Sequence, residues 1–256
     1  MRTVTEPAEG EFVRIEPSDE PGIRINGIPA TLEHVRKADV RVDLVDSLEG
    51  VSRNRAFVVE HVLGPLRLCG VTAANVVGIA TEWDFTRPEH RICYSSERGP
   101  DAVVSHPAGL PNPALARAVA DVGTERRGTE RRSTVAEPIS FETNGGEITV
   151  SPRDAGAGVE LDLSYDGERF TAEVPADGAE PAVTEAITTS TTPYLAPDAA
   201  VAVTHSAADV LSDVVVIGGL DDVRIEADLG GAYHALTIGV AQRAHERDLV
   251  VERELE

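Results

Sequence analysis

Apolar and polar residues alternate along 11–15 (Glu-Phe-Val-Arg-Ile), 22–25 (Gly-Ile-Arg-Ile) and 40–44, which predicts half-buried strands. Gly27-Ile28-Pro29 interrupts them. Between Ala56 and Cys69 the period lengthens to that of a helix. Val58, Val59, Val62, Leu63 and Leu66 form one apolar face, and Gly70 closes it. Pro65 inside this stretch predicts a kink or a shorter helix. Residues 75–79 return to strand, and Asn112-Pro113 opens a helix carrying Leu115, Ala118, Val119 and Val122. The run 126–134 is polar and charged and reads as a linker. Beyond it, Ile139–Phe141 and Ile148–Val150 flank Asn144-Gly145-Gly146, while Val159–Tyr165 and Arg169–Val174 flank Asp166-Gly167, both hairpin signals. A helix from Thr204, as N-cap, to Gly218 is followed by a strand over 223–227. Gly230-Gly231 then breaks the chain before a last helix over 232–247.

The same grammar therefore occurs twice. Setting 61–70 over 209–218 without gaps matches Val62-Leu63 to Val210-Leu211 and Gly70 to Gly218, with His61 over Asp209. The expectation is an α+β protein of two similar domains, 1–125 and 137–256, joined by a linker over 126–136. Each is a small sheet packed on two helices, and the two face each other across a pseudo-two-fold as a two-layer sandwich.

Composition narrows the function. The chain has 256 residues, 41% of them hydrophobic, enough for a real core. Its 44 acids against 23 bases leave a net charge of −21, and Lys37 is the only lysine. Such a protein repels nucleic acid and anionic membranes. The acids occur in every segment, the pattern of a surface adapted to high salt. No run of 18 apolar residues predicts membrane insertion, the first residues do not read as a signal peptide, and the expected compartment is the cytoplasm. Cys69 and Cys93 have no CxxC spacing and read as small buried thiols.

Chemistry gathers around few residues. His205 is the one histidine with an acid four positions later, Asp209, so a helix places both on one face, with Asp213 a turn further on. The repeat places Glu60-His61 in the matching helix of the first half. His61, His205 and Asp209 together offer two imidazoles and a carboxylate, a donor set suited to Zn²⁺ with a position open for water. Glu60, adjacent to a ligand but not needed for ligation, is the candidate general base. His34, His90, His106 and His245 have no partner at ligand spacing and read as surface or loop residues.

These residues carry a resemblance. Val59-Glu60-His61-Val62-Leu63 is similar to the Thr-Val-Glu-His-Leu-Leu segment of the zinc-dependent UDP-3-O-acyl-N-acetylglucosamine deacetylases of lipid A biosynthesis. His205-x-x-x-Asp209-x-x-x-Asp213 resembles that family's His-Lys-x-x-Asp-x-x-Gly-Asp motif, and Tyr233-His234-Ala235-Leu236 its Gly-His-Ala-Leu-Asn segment. Thr191 falls where the family has the threonine of Ala-Arg-Thr-Phe, and Ile28-Pro29-Ala30 also has a counterpart. The resemblance implies that His234 acts as general acid or oxyanion stabiliser with Asp213 orienting its ring. It implies too that the Thr191 hydroxyl donates to the oxyanion.

The chain also departs from that family. Ser206 stands in place of the lysine, Ser212 of the glycine, and Thr237 of the asparagine. Between Thr191 and His205 the family carries a long insert that shapes an acyl-chain passage; here only the short segment 193–203 occupies that place. The resulting expectation is a zinc-dependent deacetylase for an N-acetylated sugar or nucleotide sugar without a long acyl chain. The alternative is a non-catalytic relative that keeps the fold as a nucleotide-sugar-binding or structural protein. A third reading, a salt-adapted protein with no metal, requires the four motif matches to be accidental.

Overall fold

A computed structural model describes residues 2–3, 14–18, 20–38, 42–48, 51–56, 59–77, 131–190, 198–230 and 233–254. These residues build an α+β fold with four sheets and four α-helices.

Two five-stranded sheets carry the architecture. The first contains β1 (Arg2–Thr3), β2 (Arg14–Pro17), β3 (Gly22–Ile25), β4 (Ile28–Pro29) and β8 (Ala73–Val77), in the order β1-β2-β8-β3-β4. The second contains β10 (Ile139–Thr143), β11 (Gly146–Pro152), β12 (Val159–Tyr165), β13 (Glu168–Val174) and β14 (Val223–Asp228), in the order β10-β11-β14-β12-β13. The strand that follows the helical segment enters the middle of each sheet. It runs parallel to the strand opening the second hairpin (β3 with β8, β12 with β14) and antiparallel to its other neighbour (β2 with β8, β11 with β14). The two sheets thus share strand order and pairing polarity.

Local chemistry explains the hairpins. Asn144-Gly145 and Asp166-Gly167 have positive φ at both residues, as the tight turn matching strand twist requires. Asn26-Gly27 has the same geometry (φ 53° and 80°) and turns β3 into β4. In the sequence this site looks only like a break, because two-residue β4 is too short to show alternation.

A third sheet, β5 (Val35–Ala38), β6 (Val42–Leu48) and β7 (Val51–Ala56), lies between β4 and the first helix. The expected helix from Ala56 is shorter, α1 (Glu60–Leu68), with Pro65 inside it. In the second half, α2 (Pro181–Thr189) was not anticipated. The next helix, α3 (Ala199–Val210), begins well before Thr204. Its cap is Asp198, whose Oδ1 accepts the Val201 N–H at 2.9 Å, whereas the Thr204 hydroxyl bonds back to the Ala200 carbonyl. The short segment expected over 193–203 is therefore partly helix. From α3 the chain continues without a break into a π-helical stretch, Leu211–Ile217. Helix α4 (Tyr233–Glu246) agrees with the expected last helix.

The expected linker also differs. Residues 126–130 lie outside the described ones, but Arg131–Val135 is a strand, β9, antiparallel to β15 (Val250–Glu254). Its polar look misleads because Arg132 is buried. The Arg132 Nε donates to Asp222 Oδ2 at 2.9 Å, and the same carboxylate accepts the N–H groups of Gly156 and Gly158. The helix expected from Asn112 to Val122 lies outside the described residues, as do Cys93, His90 and His106. Cys69 is half-buried rather than enclosed.

Each five-stranded sheet has its own core. Ile15, Ile25, Leu63, Leu66 and Val76 belong to one, and Ile148, Leu161, Val210, Ile225 and Leu236 to the other. The cores interlock at the helices: Leu68 of α1 enters the second, and Ile217 and Ile238 enter the first. Every residue of α1 is buried. At Gly64 a β-carbon would sit 2.3 Å from the Ala208 carbonyl oxygen, so α1 and α3 meet backbone to backbone. The helix 199–217 is long and apolar enough to cross a membrane by composition, but most of it is buried inside the protein.

Both core helices end alike. The Gly70 N–H bonds the Arg67 carbonyl and the Val71 N–H bonds that of Leu66, with Gly70 at φ 73°. In the second half the Leu220 N–H bonds the Val215 carbonyl, with Gly219 at φ 68°. The left-handed residue matching Gly70 is thus Gly219, not Gly218 as the gapless register has it. The π-helical turn, marked by the Gly218 N–H to Asp213 carbonyl bond, accommodates one residue more than an α-helix would.

Candidate metal centre

The close approach at Gly64 brings the N-terminal turn of α1 against the C-terminal turns of α3. His61, His205 and Asp209 each offer a donor atom, and these atoms all lie within 4.8 Å of one another. The His205 Nε2 is 3.8 Å from Asp209 Oδ2, and the His61 and His205 rings meet edge to face with centroids 5.2 Å apart. Four-coordinate binding at about 2.1 Å places donors roughly 3.4 Å apart, so a modest contraction closes the cluster on an ion.

The donor chemistry fits a cation. His205 Nδ1 lies 3.0 Å from the Ser190 carbonyl, which can only accept, so Nδ1 is the donor and the neutral ring has its lone pair on Nε2, the atom facing Asp209. Burial, helped by the neighbouring His205 and His234 rings, holds the His61 pKa well below the ordinary imidazole value. Neutral imidazole is the ligating form. Asp209 Oδ1 is buried and has no hydrogen-bond partner, which is costly unless a cation shares the site. Burial raises the Asp209 pKa, with the His205 and His234 rings opposing. The residues present fit a divalent ion.

Two further groups stand beside the cluster. Glu60 is almost wholly buried, and its Oε2 accepts the Val42 N–H at 3.0 Å, so the start of β6 holds the carboxylate in place. Burial pushes its pKa up to about 8, against the lowering influence of His234. His234 Nε2 is 3.8 Å from Glu60 Oε1, while its Nδ1 lies 2.7 Å from Asp213 Oδ2. That carboxylate, with Glu60 and Asp209 adding to it, outweighs desolvation and raises the His234 pKa to about 10. Its surroundings thus favour the imidazolium, in which Nδ1 donates to Asp213 and Nε2 faces Glu60.

The structure brings six of the seven sequence candidates together: His61, His205, Asp209, Glu60, His234 and Asp213. The seventh, Thr191, lies outside the described residues. Asp213, a turn beyond Asp209, meets His234 on α4, the contact that the resemblance implies. Three contributors escaped the sequence reading. The Val42 N–H and the Ser190 carbonyl are backbone groups with no signature in residue type. The Thr237 hydroxyl, 2.6 Å from Asp213 Oδ2, stands one turn after His234, a spacing that gives a faint signal. Of the histidines read as unpartnered, His34 lies 2.9 Å from the Thr31 hydroxyl, a local contact, while His245 on α4 reaches the Gly218 carbonyl, 27 residues away, at 2.8 Å.

Among known proteins, no family model matches the chain and no curated protein matches it.

Proposed function

We propose that the protein is a zinc-dependent amide hydrolase, a deacetylase resembling the UDP-3-O-acyl-N-acetylglucosamine deacetylases. Its substrate is a small N-acetylated sugar or nucleotide sugar without a long acyl chain. The observation that carries this reading is the convergence of three metal donors, with the buried Glu60 carboxyl and the His234 imidazole facing each other at 3.8 Å. The reading includes two similar domains about a pseudo-two-fold. The shared strand order and pairing polarity of the two sheets support it. So does the meeting of His61 and Asp209, which are equivalent positions in the repeat and belong opposite each other near such an axis. The proposed setting is the cytoplasm, with a small-molecule partner and no nucleic acid.

His61, His205 and Asp209 would hold the zinc, whose chemistry is Lewis acidity toward an amide carbonyl and water. Glu60 takes a proton from the attacking water as the water oxygen bonds to the carbonyl carbon. Burial makes this carboxyl hold a proton more readily than a solvated one, which suits a group that accepts a proton and then returns it. His234 Nε2–H lies on the same side and supplies a hydrogen bond or proton as negative charge develops. When the C–N bond breaks, a proton passes to the amine nitrogen, leaving a carboxylic acid and a free amine.

One observation favours the second reading, a non-catalytic nucleotide-sugar-binding or structural protein. Ser206, at the position of the family's lysine, is buried and its hydroxyl bonds back to the Ala202 carbonyl, so it brings no positive charge to a substrate phosphate. Zinc content and turnover separate the possibilities. Protein purified without added metal should hold close to one zinc per chain, and His61→Ala and Asp209→Ala should each lose it. Unchanged zinc in both variants would sink the site. Glu60→Gln should retain zinc and lose hydrolysis of small N-acetyl sugars by about 10²–10⁴-fold. Zinc in the unaltered protein without turnover of any such amide favours the binding role.

A further inference from the structure

Asp213 is wholly buried, yet both of its hydrogen bonds converge on one oxygen. Oδ2 faces His234 Nδ1 at 2.7 Å and Thr237 Oγ1 at 2.6 Å, while Oδ1 has no partner, nor does the neighbouring Ser212 hydroxyl. A carboxylate engaged through one oxygen is free to turn about its terminal torsion, whose energy profile is broad. Turning it would withdraw Oδ2 from His234. Thr237 opposes this. Its hydroxyl has a single proton and two acceptors in reach, Asp213 Oδ2 at 2.6 Å and the His234 carbonyl at 3.2 Å. The shorter contact, to a charged oxygen, takes the proton. Thr237 and His234 lie one turn apart on α4, so the same helix that presents the ring also presents the hydroxyl that secures the ring's partner. The π-helical stretch completes the arrangement, because Asp213 belongs to it and not to the regular turn of α3 that carries Asp209.

We infer that Thr237 is a positioning residue: its hydroxyl locks the Asp213 carboxylate, which fixes the His234 ring with Nε2 directed at Glu60. The catalytic consequence rests on the amide-hydrolase reading; the orientation of the ring does not.

The test compares Thr237→Val, which removes the hydroxyl but keeps the shape, with Thr237→Ser, which keeps the hydroxyl. Each zinc-loaded protein is read by NMR for the His234 Nδ1 proton and by kcat and KM on a small N-acetyl sugar. The valine variant should show this proton exchanging faster with water, and a kcat lowered about tenfold or more with KM and zinc content unchanged. Serine should restore both. A ring signal unchanged in the valine variant overturns the inference. So does a serine variant that behaves like valine, since the methyl group and not the hydroxyl would then matter. If no protein, unaltered or variant, hydrolyses the amide, the proposed function fails and the ring signal alone decides the positioning role. Should Thr237→Val not fold, Thr237→Ala removes the same hydroxyl without adding bulk and is read in the same way.

Discussion

Asp222 shows how much one buried side chain holds at the edge of the second half. It bonds Arg132 through Oδ2 and collects the N–H groups of Gly156 and Gly158, so one carboxylate ties β9 to the loop between β11 and β12. Both charged groups are at most 3% exposed. Removing one partner of such a pair strands the other in a place water does not reach. Asp222→Ala should therefore destabilise the protein by about 3–5 kcal/mol, measured by denaturant unfolding. A loss under about 1 kcal/mol would mean that water satisfies Arg132. The site residues obey the same accounting. Asp209 Oδ1 and Asp213 Oδ1 are buried without partners, and the first of these has an evident use in a cation. Residue type, helical spacing and the repeat together made His61, His205 and Asp209 candidates. It could not point to Val42 or Ser190, whose backbone atoms do the positioning.

At the scale of elements, the site depends on how closely α1 and α3 approach. Both carry ligands, and Gly64 lets them touch along the backbone. Alanine is the better helix former by about 1 kcal/mol, so an isolated helix would gain from Gly64→Ala. Within this fold the added methyl collides with the Ala208 carbonyl, and overpacking of that kind costs about 1–3 kcal/mol or more. Gly64→Ala should lower the melting temperature and weaken zinc binding together, because separating the helices separates His61 from His205 and Asp209. A variant that melts higher, or binds zinc as tightly, would show that the helices have room to spare. The π-helical stretch matters at the same scale. Nothing in Leu211–Ile217 distinguishes a π-turn from an α-turn by composition, which is why the sequence register matched Gly70 to Gly218 and the structure pairs it with Gly219.

The whole molecule carries 21 more negative than positive charges on 256 residues. Mutual repulsion among surface acids opposes compaction. The screening length falls from about 10 Å at 0.1 M salt to about 3 Å at 1 M, so most repulsion between neighbouring acids disappears over that range. The melting temperature should climb steeply as KCl is raised from about 0.1 to about 1 M. A flat response would show that the acids lie far enough apart for solvent alone to manage them. Surface pairs such as Arg169–Asp162 weaken with salt, but exposed pairs contribute little.

Periodicity was enough to read the paired hairpins around Asn144-Gly145 and Asp166-Gly167, the helices at Glu60–Leu68 and Tyr233–Glu246, and the strands that enter the centre of each sheet. These are local features, set by turn geometry and by which face of a segment is apolar. Local rules misread β9, because a buried Arg132 looks like a solvated one until its partner ninety residues away is in place. They passed over α2 and started α3 late, since Asp198 and Thr204 are both acceptable caps and only the packed core selects between them. The candidate ligands were legible as residue types at helical spacing and at matching positions of a repeated sequence pattern. What tertiary structure decided was their meeting: the distance between α1 and α3, the Ser190 carbonyl that takes His205 Nδ1, and the Thr237 hydroxyl that joins Asp213 beside His234. Those depend on groups distant in sequence, which only folding brings within hydrogen-bond range.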